Sequence, residues 1–150
     1  MGDYWLVHLS RNLTARNVMV NIHWEHGNHF VHYGGAGLDM YNLRGFSTSS
    51  VADMYGFCSD AKAITMDALH NQLPKMIRDH HSEGINFRNL MISQANYTPA
   101  TEQLVREALG NPELRSDILI VSETGKVRRG LALPRDTDFI VPNHQKSLFA

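Results

Sequence analysis

The stretch that most constrains the fold is Asn17–Tyr33, NVMVNIHWEHGNHFVHY. Residues 18–25 and 29–33 are rich in β-branched and aromatic types, which favour strands. The Gly27-Asn28 pair between them suits a two-residue turn of type I′ or II′. The stretch therefore predicts a β-hairpin around which the rest of the chain is built.

Alternation of side chains along the two strands separates an apolar face from a polar face. The apolar face, expected to be core, holds Val18, Val20, Ile22, Trp24, Val31 and Tyr33. The polar face holds Asn21, His23, Glu25, Phe30 and His32. A shift of one residue would spoil this separation. We therefore expect His23 and His32 to be direct cross-strand neighbours.

Two imidazoles and a carboxylate on that face define the first candidate site. Directly opposed residues have Cβ atoms roughly 4.5–5.5 Å apart, and Glu25 would be diagonal to His32. Because histidine titrates near neutral pH, His23 and His32 could be an acid–base pair with Glu25 as the orienting group. The same three residues could also supply part of a metal site. The alternative is that they are the solvent side of a half-exposed hairpin, and no metal ligand or cofactor is assigned.

Length and composition set the class of protein. A chain of 150 residues with 43% hydrophobic and 19% charged residues is expected to form one domain, residues 1–150. A net charge of −1 argues against a strongly cationic nucleic-acid binder. The single cysteine, Cys58, excludes an intrachain disulfide and fits a cytoplasmic protein. No apolar run approaches the ~18 residues of a membrane span, so no membrane partner is expected.

Two helices are predicted after the hairpin. Ser59–Ser82 has apolar residues at helical spacing, and Pro74 should kink or split it near Gln72 or Leu73. A second helix opens at Thr98-Pro99, a capping residue followed by proline at the first helical position. It closes at Gly110, which is followed by Asn-Pro.

The remaining apolar runs predict strands. Asp117–Val121 contains four consecutive apolar residues, which predict a central strand. The others are Tyr4–Ser10, Phe87–Ser93, Val127–Leu133 after a turn at Glu123–Lys126, and Asp138–Val141. The resulting order is β-β-β-α-β-α-β-β, with Asp138–Val141 as a possible last strand. It predicts an α+β fold in which two main helices pack on a mixed sheet of about five to seven strands.

Basic residues gather around the second predicted hairpin. They are Lys126, Arg128, Arg129 and Arg135. Arg128 and Arg129 adjoin in one strand and so point to opposite faces. Lys126, Arg128 and Arg129 are the candidate anion-binding or nucleic-acid-binding residues. The alternative is a solvated edge strand that its charges protect from pairing.

Two layouts resemble known families. Three antiparallel strands followed by α-β-α-β resemble the ribonuclease H topology, whose chemistry uses carboxylates that hold Mg²⁺. Neither Leu9–Asn12 nor Ser93–Asn96 supplies a carboxylate at the strand ends, so that active site is not expected. The layout of Asn89–Leu133 resembles the C-terminal half of phage S-adenosylmethionine lyases, trimeric enzymes with a PII-like fold. That resemblance implies lyase chemistry, but Tyr41–Phe46 offers no counterpart of the family's catalytic Glu.

The leading functional expectation is a small soluble binding or assembly protein that acts as a homo-oligomer. Its basis is the absence of a recognised catalytic motif, together with the apolar Leu148-Phe149 pair in the C-terminal tail, NHQKSLFA. Self-association is the expected partnership; a protein partner is possible in addition and nucleic acid is not expected. The alternatives are an enzyme (hydrolase or lyase) that uses His23, His32 and Glu25, and an anion or nucleic-acid binder that uses Arg128 and Arg129.

Overall fold

Helix α2, Ala61–His80, is the longest of the described elements and places Leu69, Leu73 and Ile77 in the core. The computed structural model of the chain describes residues 12–26, 31–33, 35–38, 54–57 and 60–143. Within them the elements follow the order α1 (Leu13–His26), β1 (Val31–Tyr33), β2 (Met54–Gly56), α2, β3 (Ile85–Asn86), α3 (Phe87–Gln94), α4 (Glu102–Gly110), β4 (Ile118–Val121) and β5 (Phe139–Pro142). The predicted strand Tyr4–Ser10, the Gly27-Asn28 turn and the Leu148-Phe149 pair lie outside the described residues.

The described strands form two small antiparallel sheets. Strands β1 and β2 pair with each other, and His32 lies opposite Tyr55. The larger sheet has the order β3-β5-β4, with β5 in the centre. The prediction of a mixed sheet of five to seven strands is therefore wrong, and small antiparallel sheets accompanied by four helices replace it in the described chain. The placement of Asp117–Val121 as a central strand is also wrong, because β4 is an outer strand of its sheet.

The core lies between the inner face of the larger sheet and helices α2, α3 and α4. Its fully buried residues include Leu69, Leu73 and Ile77 of α2, which follow the predicted helical stripe. The sheet contributes Ile118, Ile120 and Ile140. The predicted helix in Ser59–Ser82 is thus confirmed, but it runs unbroken through Pro74, which is buried. Packing of this segment in the core outweighs the cost of about 3 kcal/mol that a proline brings to a helix interior.

The predicted hairpin around His23 is wrong, because Leu13–His26 forms helix α1. The apolar residues that alternate along this stretch do not share one buried face of the helix. Val18 and Ile22 are exposed, whereas Arg16 is buried and Trp24 packs against the core. The Asn12 side chain accepts the Thr14 N–H at 2.8 Å, which is the capping arrangement that starts a helix.

The predicted strand Phe87–Ser93 is also wrong, because these residues lie in helix α3. Asn86 caps the helix: its side chain accepts the backbone N–H groups of Arg88 and Asn89 at 3.0 and 3.4 Å. Phe87, Leu90 and Met91 then point into the core at helical spacing. The layout that resembles the C-terminal half of phage S-adenosylmethionine lyases begins with that strand. A helix stands in its place, so the first element of the resemblance does not match.

Helix α4 starts later than predicted, at Glu102 with Thr101 as its cap. The carbonyl oxygens of Thr98, Pro99 and Ala100 accept hydrogen bonds from side chains of α1. The backbone of Thr101 is extended, with φ −71° and ψ 158°, and its side chain accepts the Leu104 N–H, so the helix begins after this residue. The end of the helix at Gly110 agrees with the prediction.

Two glycines with positive φ give a matched test of packing around β5. Gly84 has φ +88°, and a Cβ there would lie 2.3 Å from Val141 Cγ1 and 3.0 Å from the Ile140 carbonyl oxygen. Gly125 has φ +79° and no atom within 4 Å of the same position. Both alanine variants should lose about 1–2 kcal/mol through left-handed backbone strain. Gly84→Ala should lose about 1–3 kcal/mol more, because β5 must also move. Urea unfolding measures both, and equal losses would contradict this packing.

Candidate functional site

The predicted histidine site lacks the cross-strand geometry on which it was based. His23 is on α1, half-buried, with its ring stacked on Phe57 at 5.4 Å between centroids and 17° between planes. Glu25 is exposed two residues later, roughly 200° around the same helix. His32 lies in β1, where its backbone pairs with Tyr55. A catalytic role for His23, His32 and Glu25 stays a prediction, now without the cross-strand pairing on which it was based.

Helix α1 is attached to the segment before α4 by polar side chains. The Arg16 guanidinium donates to the carbonyl oxygens of Thr98 and Ala100, and the Trp24 indole donates to that of Pro99 at 3.0 Å. Burial lowers the pKa of Arg16 to about 10, against the opposing effect of the Glu102 charge. These contacts assign Arg16 a structural role.

A second polar cluster is centred on Arg106 of α4. Its guanidinium donates to the Glu102 carboxylate, the Asp136 carboxylate and the Pro134 carbonyl oxygen. It also lies 4.1 Å above the centre of the Phe87 ring, at cation–π distance. Arg106 therefore holds α4, the start of α3 and the segment before β5 together.

The predicted anion-binding residues divide into two groups. The side chain of Arg128 binds the Asp138 carboxylate through two hydrogen bonds, of 2.5 and 2.9 Å. Asp138 is fully buried and also accepts the Arg135 backbone N–H at 2.7 Å. Arg128 is thus held by a buried carboxylate, whereas Arg129 and Lys126 are exposed.

A cavity of about 460 Å³ lies between the Ser122–Lys126 turn and residues 135–138. It is lined by Ser122, Glu123, Thr124, Lys126, Val127, Arg128, Arg135, Thr137 and Asp138. Two of the three predicted residues, Lys126 and Arg128, therefore reach one cavity with Arg135, and Arg129 is not among its lining residues. The tight turn predicted at Glu123–Lys126 is present, with Ser122 N–H donating to the Lys126 carbonyl oxygen at 2.8 Å. The strand predicted after it is reduced to one bridge, between Val121 and Val127.

The outer face of the larger sheet is apolar. Residues that lie directly opposite each other on neighbouring strands share a face of the sheet. Val121 lies opposite Phe139 and Leu119 opposite Val141, and a bridge joins Val121 to Val127. These pairings place five apolar side chains on one face. We call this set, Leu119, Val121, Val127, Phe139 and Val141, the outer sheet face. All five are partly exposed, Val127 and Phe139 the most, at 49% and 44%. The alternate residues of the same strands point into the core.

Sequence reasoning missed Asp138, Ser122 and Thr137 at the cavity. The sequence predicts Asp138 as the first residue of a strand, and its pairing with Arg128 joins two segments that are not local neighbours. The turn itself is recognisable from Gly125, whose positive φ the turn requires. The hydroxyl groups of Ser122 and Thr124, which precede Gly125, are the remaining local signal.

In the part of the chain that the structure describes, no group of three or more His, Cys, Asp or Glu side chains could hold a metal ion. None of the described helices combines the length and apolar character that crossing a membrane requires. Comparisons of the chain with protein-family models, with curated proteins and with solved structures found no match.

Replacing Arg106 tests whether its cluster stabilises the fold. Arg106→Ala should lower the free energy of unfolding by about 2–3 kcal/mol, because charge-assisted hydrogen bonds and a cation–π contact are lost. Arg88→Ala is the matched control: its bridge to Asp136 is 3.9 Å long and both groups are more than half exposed. The control should lose about 0.5 kcal/mol or less. Denaturant unfolding compares them, and equal effects would contradict a central role for Arg106.

The Arg128–Asp138 pair predicts a loss of stability in acid. Burial alone would raise the pKa of Asp138, but hydrogen bonds from Arg128 and the Arg135 N–H, with both positive charges, hold it below its ordinary 3.8. A lowered carboxylate pKa stabilises the fold above the unfolded-state pKa, and this contribution is lost as the pH falls below about 4. Asp138→Asn should cost about 2 kcal/mol near pH 7. The difference from wild type should shrink on acidification, as followed by denaturant unfolding at a series of pH values. A difference that does not change with pH would contradict an ionised Asp138.

Proposed function

We propose that this chain is a small binding or assembly protein that forms homo-oligomers, and that two copies meet through the outer sheet face. The observation that supports it is the exposure of five apolar side chains on one face of a sheet whose opposite face is core. An antiparallel sheet with one face in water normally carries polar residues there. A contiguous apolar face is typical of a surface that another molecule covers.

The arrangement of this face suits a second copy of the chain. Phe139, Val121 and Val127 lie side by side across three neighbouring segments, so they form a row rather than a pocket. In a two-fold dimer the same patch serves on both copies, and a row of this kind can pack against itself. Two sheets stacked face to face lie about 10 Å apart, which is the spacing at which such side chains interdigitate.

The surroundings of the face are also compatible with association. A standard interface covers about 800 Å² per partner, with an apolar centre and a polar rim. The outer sheet face supplies the centre, and the charged turn at Ser122–Lys126 borders it through Val127. The net charge of −1 means that two copies repel each other only weakly.

The test is the mass of the protein in solution. The wild type should show a rise in average mass, toward a dimer or larger species, across micromolar concentrations in analytical ultracentrifugation. The double variant Val127→Glu, Phe139→Glu should stay monomeric, because charges of the same sign from both copies would have to be buried together at the centre of the interface.

The matched control places charges on exposed apolar residues elsewhere. Ile64 and Ile92 are 52% and 54% exposed on α2 and α3. Ile64→Glu, Ile92→Glu should leave the mass profile of the wild type unchanged. A wild type that remains monomeric throughout, or a control that dissociates as the outer-face variant does, would count against the proposal. Circular dichroism confirms that each variant is folded.

A further inference from the structure

The cavity under the Ser122–Lys126 turn has walls that are fixed before any ligand arrives. On one side, Ser122 N–H donates to the Lys126 carbonyl oxygen at 2.8 Å, and Lys126 N–H donates to Ser122 Oγ at 3.1 Å. On the other side, Asp138 N–H donates to the Arg135 carbonyl oxygen at 3.0 Å. A volume of about 460 Å³ is in the range of sites for small molecules. The cavity is therefore preformed and large enough for a small ligand.

Two positively charged side chains of the cavity lining, Lys126 and Arg135, are placed to bind a ligand. Asp138 accepts two hydrogen bonds from Arg128 and one from the Arg135 backbone, so Arg128 and Asp138 form a neutral unit. Among the described residues, neither Lys126 nor the Arg135 side chain is within salt-bridge distance of a carboxylate. The remaining acidic group of the lining is Glu123, exposed on the turn. The lining thus carries a net positive charge.

Hydroxyl groups complete the lining. Ser122 Oγ and Thr124 Oγ1 lie 3.0 Å apart, and Thr137 belongs to the opposite wall. An arginine fork, an ammonium group and hydroxyl donors are the set with which proteins bind the oxygens of a phosphate group.

We propose that this cavity binds a small phosphate-bearing anion, with Lys126 and Arg135 as the charged ligands and the hydroxyls of Ser122, Thr124 and Thr137 as further donors. The site is concave and its lining has no aromatic side chain on which bases could stack. The chain as a whole carries a net charge of −1. Both observations favour a small anion over a nucleic-acid strand.

The experiment uses inorganic phosphate and pyrophosphate as probes at constant ionic strength. In isothermal titration calorimetry, the wild type should bind pyrophosphate more tightly than phosphate, because more oxygens reach the two cations. The double variant Lys126→Ala, Arg135→Ala should bind about tenfold more weakly or not measurably. The pair Lys126→Arg, Arg135→Lys keeps both charges and should retain most of the affinity.

The matched control removes the same charge outside the cavity. Arg129 is exposed beside the site without lining it, and Lys75 is exposed on α2. Lys75→Ala, Arg129→Ala should bind pyrophosphate as the wild type does. In ¹⁵N-labelled protein, pyrophosphate should shift the amide signals of residues 122–128 and 135–138.

Three results would overturn the proposal. The first is a wild type that binds neither probe at millimolar concentration. The second is a control variant that loses as much affinity as the cavity variant, which would indicate general charge attraction. The third is a stronger response to a single-stranded oligonucleotide than to pyrophosphate, with amide shifts outside the cavity. Thermal unfolding of each variant separates a lost site from a lost fold.

Discussion

The buried carboxylate of Asp138 is the group on which the arrangement around the larger sheet depends. Its side chain binds Arg128 and the backbone of Arg135, and its carbonyl oxygen accepts the Phe87 N–H at 2.8 Å. One residue thus joins the start of α3, the entry to β5 and the segment after the Ser122–Lys126 turn. Because an unpaired buried charge costs several kcal/mol, Arg128 must stay paired with Asp138. The pairing fixes one wall of the cavity and leaves ligand binding to Lys126 and Arg135.

Helix α1 shows why the strongest sequence prediction failed. Val18, Val20, Ile22 and Trp24 alternate as in a strand. The side chains that contact the core or the 98–102 segment fall instead on one side of a helix, and they are Leu13, Arg16, Asn17 and Trp24. Periodicity over so short a stretch does not decide between the two. The deciding contacts are the hydrogen bonds of Arg16 to carbonyl oxygens 82 and 84 residues away. No local pattern contains that information, although Asn12 followed by Leu13 was a usable capping signal.

The predictions that held were those with local causes. Helix α2 has a long apolar stripe, α4 ends at a glycine, and β4 and β5 are apolar runs between turns. The prediction for Phe87–Ser93 was wrong because the eight residues of α3 are too few for periodicity alone to decide, although the Asn86 cap and the spacing of Phe87, Leu90 and Met91 both indicate a helix. At the candidate sites, the predicted cluster of basic residues includes Lys126 and Arg128, which line the cavity, but the register that brings Phe139 beside Val121 is a tertiary feature. The outer sheet face was therefore not visible in the sequence.

The outer sheet face and the cavity meet at consecutive residues. Val127 belongs to the apolar row and borders the cavity, and Lys126 immediately before it is a proposed anion ligand. An anion held by Lys126 would offset a positive charge immediately beside the apolar row, so two copies that meet through this face would repel each other less at that edge. If both proposals hold, thermodynamic linkage makes the coupling free energy reciprocal. Bound anion strengthens self-association by the same factor by which self-association strengthens anion binding.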